Sequence, residues 1–189
     1  MENQHRTTGK VAVIIGIQIA IIFVSFFVLQ TLESQKQFAG NSVNISGKNR
    51  FFTADVLNEL LLYRSSGGTL GNPTEKLDEY RENLDLLKNG GIINDLNVKP
   101  LSEKFTADFD VLMISFSSYE NSILQCISDI QSQNLDVTKL QELQDKADDL
   151  IIQTDYFTIN LASDLETLSN ELIFIQIVLG AINIAAHIV

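Results

Sequence analysis

The sequence predicts an all-α protein: an up-down four-helix bundle continuous with two transmembrane helices. Three observations carry that expectation. Apolar residues recur at intervals of three and four through the middle of the chain, only two prolines occur, and long uncharged apolar runs stand near both ends.

The first run, Val11 to Leu32, holds 22 positions without a charge. At about 1.5 Å per residue it measures about 33 Å as a helix, enough to cross a bilayer core. It exceeds the roughly 7 to 15 apolar residues of a secretory leader, and no A-x-A cleavage pattern follows it. The second run, Leu172 to Val189, has 18 positions that are uncharged apart from His187. It spans about 27 Å at the same rise. Arg6 and Lys10 sit just before the first run, and basic flanks stay on the cytoplasmic side. The expected layout is a two-pass protein of the cell membrane. Residues 1–10 are cytoplasmic, 11–32 form the first span, 33–171 an extracytoplasmic bundle and 172–189 the second span.

Setting aside Glu2, Arg6 and Lys10, the outer segment carries 11 Lys and Arg against 23 Asp and Glu, a net charge of −12. Such a surface repels nucleic acid and anionic lipid headgroups, so neither is an expected partner. Cys126 is the single cysteine. No internal disulfide is available, and packing has to supply the stability.

Each helix has its own start and stop signals. The first continues out of the membrane to about Arg64, where Ser65 to Gly71 (SSGGTLG) interrupts it. A second begins at Asn72, with Pro73 suited to the first helical position and Glu75 completing a capping-box pattern. Asn89-Gly90-Gly91 ends it. After a loop, GIINDLNVKP, a third helix runs from about Leu101 to Gln133 with Ser102 as cap. Asn134 to Val137 makes the last turn. The fourth starts near Thr138 and shows a heptad seam of Leu140, Leu143, Ala147, Leu150, Thr154, Phe157, Leu161, Leu165, Leu168 and Leu172, with one stutter. That seam runs straight into the second span.

The first helix shows a comparable line. Val43, Gly47, Arg50, Ala54, Leu57 and Leu61 are spaced 4, 3, 4, 3, 4 and predict a seam with a cation inside it. A buried cation needs a carboxylate, water or a bound anion, because an unpaired one costs several kcal/mol. Glycine in a helix interior costs up to about 1 kcal/mol relative to alanine, so Gly47 implies room for a close neighbour. From Ser34 to Ala54 there is no acidic residue, whereas Lys36, Lys48 and Arg50 are all present. This is the local positive site of an acidic domain. A guanidinium suits planar oxyanions because its parallel N–H donors engage two oxygens at once.

The stretch VNISGKNRFF resembles the I-N-x-A-G-x-x-R-M segment of the NarX/PilJ-like class, the sensor domains of nitrate/nitrite-responsive histidine kinases and type IV pilus chemotaxis receptors. The matching positions are Val43, Asn44, Ser46, Gly47, Arg50 and Phe51. The resemblance implies a periplasmic four-helix bundle between two membrane helices. It also implies a homodimer in which anion binding shifts helices axially to regulate a cytoplasmic signalling module. Arg50 stands where the arginine of the nitrate sensors approaches the anion from both subunits, and Asn44, Gly47 and Lys48 complete the expected ligand-binding set. The nitrate sensors carry a lysine where Ile45 stands and a second arginine where Asp55 stands. The resemblance therefore implies sensing without carrying nitrate over as the ligand. Receptors of this class continue into a kinase or methyl-accepting module, expected here beyond Val189 or in a partner.

Structural readings compete with these. Arg50 has candidate partners in Asp108, Asp110 and Glu120, or emerges to water. Asn44 and Lys48 also fit an exposed helix face, and Gly47 fits plain packing. Asp145, Asp148, Asp149 and Asp155 fit a solvated acidic face, and no metal is expected. Phe51, Phe52, Phe105, Phe109, Phe116 and Cys126 fit the core. No P-loop, nucleophile elbow, metal-ligand cluster or kinase motif occurs, so no catalytic residue, cofactor or enzymatic activity is expected. Two function classes remain. One is a ligand-sensing receptor module; the other is a membrane-anchored structural or assembly protein that binds another protein and no small ligand.

Overall fold

Glycine-rich breaks separate the first three helices, and a short stretch without glycine separates the third from the fourth. The computed structural model describes residues 2–134 and 136–188, with side chains from 12 to 185 apart from position 135. The side chains of Arg6, Lys10 and His187 lie outside the described residues. Helix α1 spans Glu2–Ser65, α2 Pro73–Asn89, α3 Thr106–Gln131 and α4 Val137–Ile188. Between α2 and α3 stand two short strands, β1 (Gly91–Ile93) and β2 (Leu96–Val98), and a 3-10 turn, Glu103–Phe105.

The strands correct the expectation of an irregular loop at GIINDLNVKP. They pair antiparallel, Ile93 opposite Leu96, with Asn94 (φ 46) and Asp95 (φ 65) in the two-residue turn. Positive φ at both central positions is the condition for the hairpin turn whose twist matches the strands, and Asn and Asp tolerate it. Three residues per strand are too few for an alternation to be legible.

The start of α2 is also built differently from the expected capping box. Asn72 does cap, its Oδ1 accepting from the Glu75 backbone at 3.4 Å. Its own backbone N–H, however, goes to the Glu59 carboxylate of α1 at 2.8 Å, leaving Glu75 to the Asn72 side chain. The cap thus ties α2 to α1. Gly71 sits at φ 84 in this junction, where a Cβ would lie 2.4 Å from the Glu59 carbonyl oxygen.

The chain divides into two compact units. One comprises residues 38–163. Its core gathers Val56 and Leu60 of α1, Leu77, Tyr80, Leu84 and Leu87 of α2, Phe109, Leu112, Phe116 and Ile123 of α3, and Leu143, Leu150 and Phe157 of α4. Tyr80 stacks on Phe116 with centroids 4.7 Å apart, and Phe157 meets the rings of Phe105 and Phe109. Cys126 is buried here. Burial follows the α4 seam closely, from Leu143 through Ala147, Leu150, Thr154 and Phe157 to Leu161.

The other unit comprises residues 1–37 and 164–189. Within it α1 and α4 are each long and apolar enough to cross a membrane, and only 6% of either apolar window is buried inside the protein. Phe26, Phe27, Phe174 and Ile177 stand exposed on these segments, unlike the mostly buried core helices of a water-soluble fold.

Candidate functional site

On α1 the buried line is not the one with the larger side chains. Ser42, Ser46, Asn49, Thr53, Val56 and Leu60 face the interior, each one residue before the expected seam positions and with the same 4, 3, 4, 3, 4 spacing. One residue is about 100° of helix rotation, so the whole expected seam turns toward the outside. Arg50, Ala54 and Leu61 are exposed, and Val43, Gly47 and Leu57 are half-buried.

The inward line is polar because its partners are polar. Ser46 meets Thr158 of α4, hydroxyl to hydroxyl, at 2.7 Å. Asn49 Oδ1 accepts from Asn83 Nδ2 of α2 at 2.8 Å, both residues being buried. The Thr53 carbonyl accepts from the Tyr119 hydroxyl of α3 at 2.9 Å. Tyr80 of α2 meets Thr154 of α4 at 2.7 Å. Burial pushes the phenols of Tyr80 and Tyr119 well above their ordinary range, which keeps both neutral donors. A largely paired polar layer of this kind fixes the register of the helices that share it. One donor in it, Asn49 Nδ2, finds no partner.

Arg50 lies at the boundary of α1 and α4 and pairs with Asp155 at 2.9 Å, their side chains 45% and 40% exposed. None of the carboxylates considered as its partners forms an ion pair with it. Arg81 of α2 holds Glu120 together with Asp78, Asn160 of α4 donates to Asp108 at 2.8 Å, and Asp110 is exposed. The pair is therefore a surface contact that water reaches, worth about 0 to 1 kcal/mol. Beside it the Phe51 ring lies 6.0 Å from the guanidinium carbon and is 67% exposed, which corrects its expected place in the core. Ile152, Tyr156 and Ile159, which share the α4 face of Asp155, are exposed as well.

The remaining candidates fall on other sides of α1. Asn44 is exposed. Gly47 has no close neighbour in the protein, since an added Cβ would come no nearer than 4.0 Å to Thr158. Lys48 points away from Arg50 and lines a groove of about 330 Å³ with Ile45, Phe52, Glu79, Glu82, Asn83, Ile93 and Asn94. The hairpin closes one side of this groove, held to α1 by the Asn41 side chain donating to the Asn97 carbonyl at 2.7 Å. Lys48 and Arg50 thus do not converge on one site. The polar line and Asp155 escaped the sequence reading, although Ser42, Ser46, Asn49 and Thr53 recur at heptad spacing and were open to the same count.

Among the described residues no group of three His, Cys, Asp or Glu is placed to hold a metal ion. The acidic residues Asp145, Asp148 and Asp149 are exposed along α4. No protein-family model, curated protein or solved structure matches the chain.

Proposed function

We propose that the chain is the extracytoplasmic ligand-sensing module of a two-pass membrane receptor, of the histidine-kinase or chemotaxis-receptor type. Its N-terminus is cytoplasmic and residues 33–171 form an up-down bundle outside the bilayer. The observation that carries this reading is the continuity of two helices. Both α1 and α4 run without a break from an apolar segment into the bundle, as Glu2–Ser65 and Val137–Ile188. An uninterrupted helix transmits an axial shift of 1 to 2 Å along its length.

Arg50 and Asp155 supply the point of control. They join those two helices by one exposed pair, so a small oxyanion that takes the guanidinium from Asp155 loosens α4 from α1 at little cost. Homodimerisation uses the outward faces of the same helices, where Gly47, Phe51 and Ala54 on α1 and Ile152, Tyr156 and Ile159 on α4 offer small and apolar surface to a second copy. The same apolar face favours the second reading, a membrane-anchored assembly protein that docks another protein there and takes no small ligand.

The test is thermal unfolding of the full chain in lipid nanodiscs against a panel of small oxyanions. Native-state binding raises the midpoint, and Arg50→Ala removes that rise while leaving the unliganded midpoint nearly unchanged. A wild type unmoved by every anion overturns the anion-sensing reading and leaves the assembly protein.

A further inference from the structure

Two charges of opposite sign face the groove between α1, α2 and the hairpin. Lys48 comes from α1 and Glu82 from α2, and neither has a partner among the described residues. The other carboxylate in the lining, Glu79, is held by Lys76 at 2.7 Å, and that bond raises the lysine's affinity for its proton. Its charge is offset within the protein. One free cation and one free carboxylate remain. A plain anion drawn to Lys48 meets the carboxylates, and a plain cation drawn to Glu82 meets the lysine. A molecule that carries both charges satisfies both sides.

The uncharged lining suits the same molecule. Asn83 spends its Nδ2 on the buried Asn49, so its amide is fixed in place and its oxygen is the end left to accept from a ligand. Asn94, held at φ 46 in the hairpin turn, adds a second amide from the third side. Ile45, Phe52 and Ile93 give an apolar floor. The volume of about 330 Å³ sits at the small end of ligand pockets, which run from roughly 300 to 1,000 Å³.

We propose that this groove binds a small zwitterion of the free α-amino-acid class. Its carboxylate faces Lys48, its ammonium faces Glu82 and Asn83, and its side chain lies on Ile45, Phe52 and Ile93. The site is separate from Arg50, which stands about 200° round the helix from Lys48. It holds whether or not Arg50 answers to anions. A ligand here bridges α1, α2 and the hairpin.

The experiment is thermal unfolding of the full chain in nanodiscs with each common free amino acid. For every one that stabilises, the matched amine lacking the carboxylate and the matched acid lacking the amine are run beside it. At least one amino acid is expected to raise the midpoint by about 5 °C at a hundredfold excess over its Kd, and neither single-charge relative does so. Lys48→Met and Glu82→Gln, both at exposed positions, each abolish the rise with an unchanged unliganded midpoint, whereas Arg50→Ala keeps it. No response to any amino acid overturns the proposal. So does an equal response to the acid alone, which makes the groove a plain anion site, or to the amine alone, which makes it a cation site. A response lost in Arg50→Ala and kept in Lys48→Met belongs to the Arg50 reading instead.

Discussion

Tyr80 gives its phenolic proton to Thr154. The two oxygens are 2.7 Å apart in the interior, and the single hydroxyl proton of Thr154 is already committed to the Leu150 carbonyl, also at 2.7 Å. Thr158 repeats the arrangement one turn later, donating to the Thr154 carbonyl and accepting from Ser46. Two threonines on α4 therefore act as acceptors, one for a donor on α2 and one for a donor on α1.

That direction makes the two deletions unequal. Thr154→Val strands a buried phenolic donor and is expected to cost about 1 to 3 kcal/mol. Tyr80→Phe leaves Thr154 with its carbonyl bond and is expected to cost about 0.5 to 1.5 kcal/mol. Denaturant unfolding of both variants decides it. A costlier Tyr80→Phe means that the assigned donor and acceptor are reversed.

Asn49 and Asn83 are expected to behave as a coupled pair. Asn49→Ala leaves the Asn83 amide without its buried acceptor, while the double variant removes both groups. A double-mutant cycle should return a coupling of about 0.5 to 3 kcal/mol, with the double change costing less than the sum of the single ones. Strict additivity would show that the bond contributes nothing to stability.

Stability should fall at both extremes of pH. Tyr80 and Tyr119 have folded-state values raised above the ordinary 10.0, so their contribution is complete below pH 10 and is lost as pH rises beyond it, when the unfolded chain ionises first. Two such groups give a slope of about 2.7 kcal/mol per pH unit, and Tyr119→Phe halves it. On the acid side the hydrogen bond from Lys139, aided by Gln125, holds the Asp129 carboxyl below its ordinary 3.8. That contribution is present above pH 3.8 and disappears as pH falls through the lower folded value. Asp129→Asn should flatten the acid limb. Chemical denaturation from pH 2.5 to 11.5 reads both slopes.

Two glycines are expected to respond oppositely to alanine. Gly71→Ala places a Cβ against the Glu59 carbonyl at a positive φ and should destabilise strongly. Gly47→Ala brings a Cβ to ordinary contact distance from Thr158, with no clash within the protein, and should stabilise an isolated chain by up to about 1 kcal/mol through helix propensity. If a second copy packs there, the same change weakens self-association, read as a larger dimer dissociation constant in detergent. A chain that is both stabilised and unchanged in association removes Gly47 from the dimer interface.

The sequence by itself determined the parts of this protein that depend on local chemistry. Uncharged length marks the two membrane-competent segments, because a bilayer core admits about 20 apolar residues whatever lies around them. Glycine and Asn-Pro signals place the end of α1 and both ends of α2 within a residue or two, because backbone freedom and capping act within one turn. The third helix departs from its expected start: Leu101 and Ser102 lie ahead of a 3-10 turn, the Ser102 side chain makes no cap hydrogen bond, and α3 begins at Thr106. The α4 seam was legible because it runs for ten positions, whereas the rival apolar line of Ile152, Tyr156 and Ile159 is short.

On α1 two lines fit the same spacing, and only the tertiary structure chose between them. Val43, Gly47, Arg50, Ala54, Leu57 and Leu61 carry the hydrophobic signal, yet Ser42, Ser46, Asn49 and Thr53 go inside with Val56 and Leu60. Ser46 and Asn49 find partners in Thr158 and Asn83, up to 112 positions away in the chain, Tyr119 bonds the Thr53 carbonyl, and the Ser42 and Thr53 hydroxyls bond back to carbonyls of α1 itself. Polarity counts against burial only while a group lacks a partner, and a partner on another helix leaves no trace in local periodicity. The same rotation of about 100° brought Arg50 to Asp155 and left Lys48 in a groove whose third side is a hairpin too short to be read from its sequence.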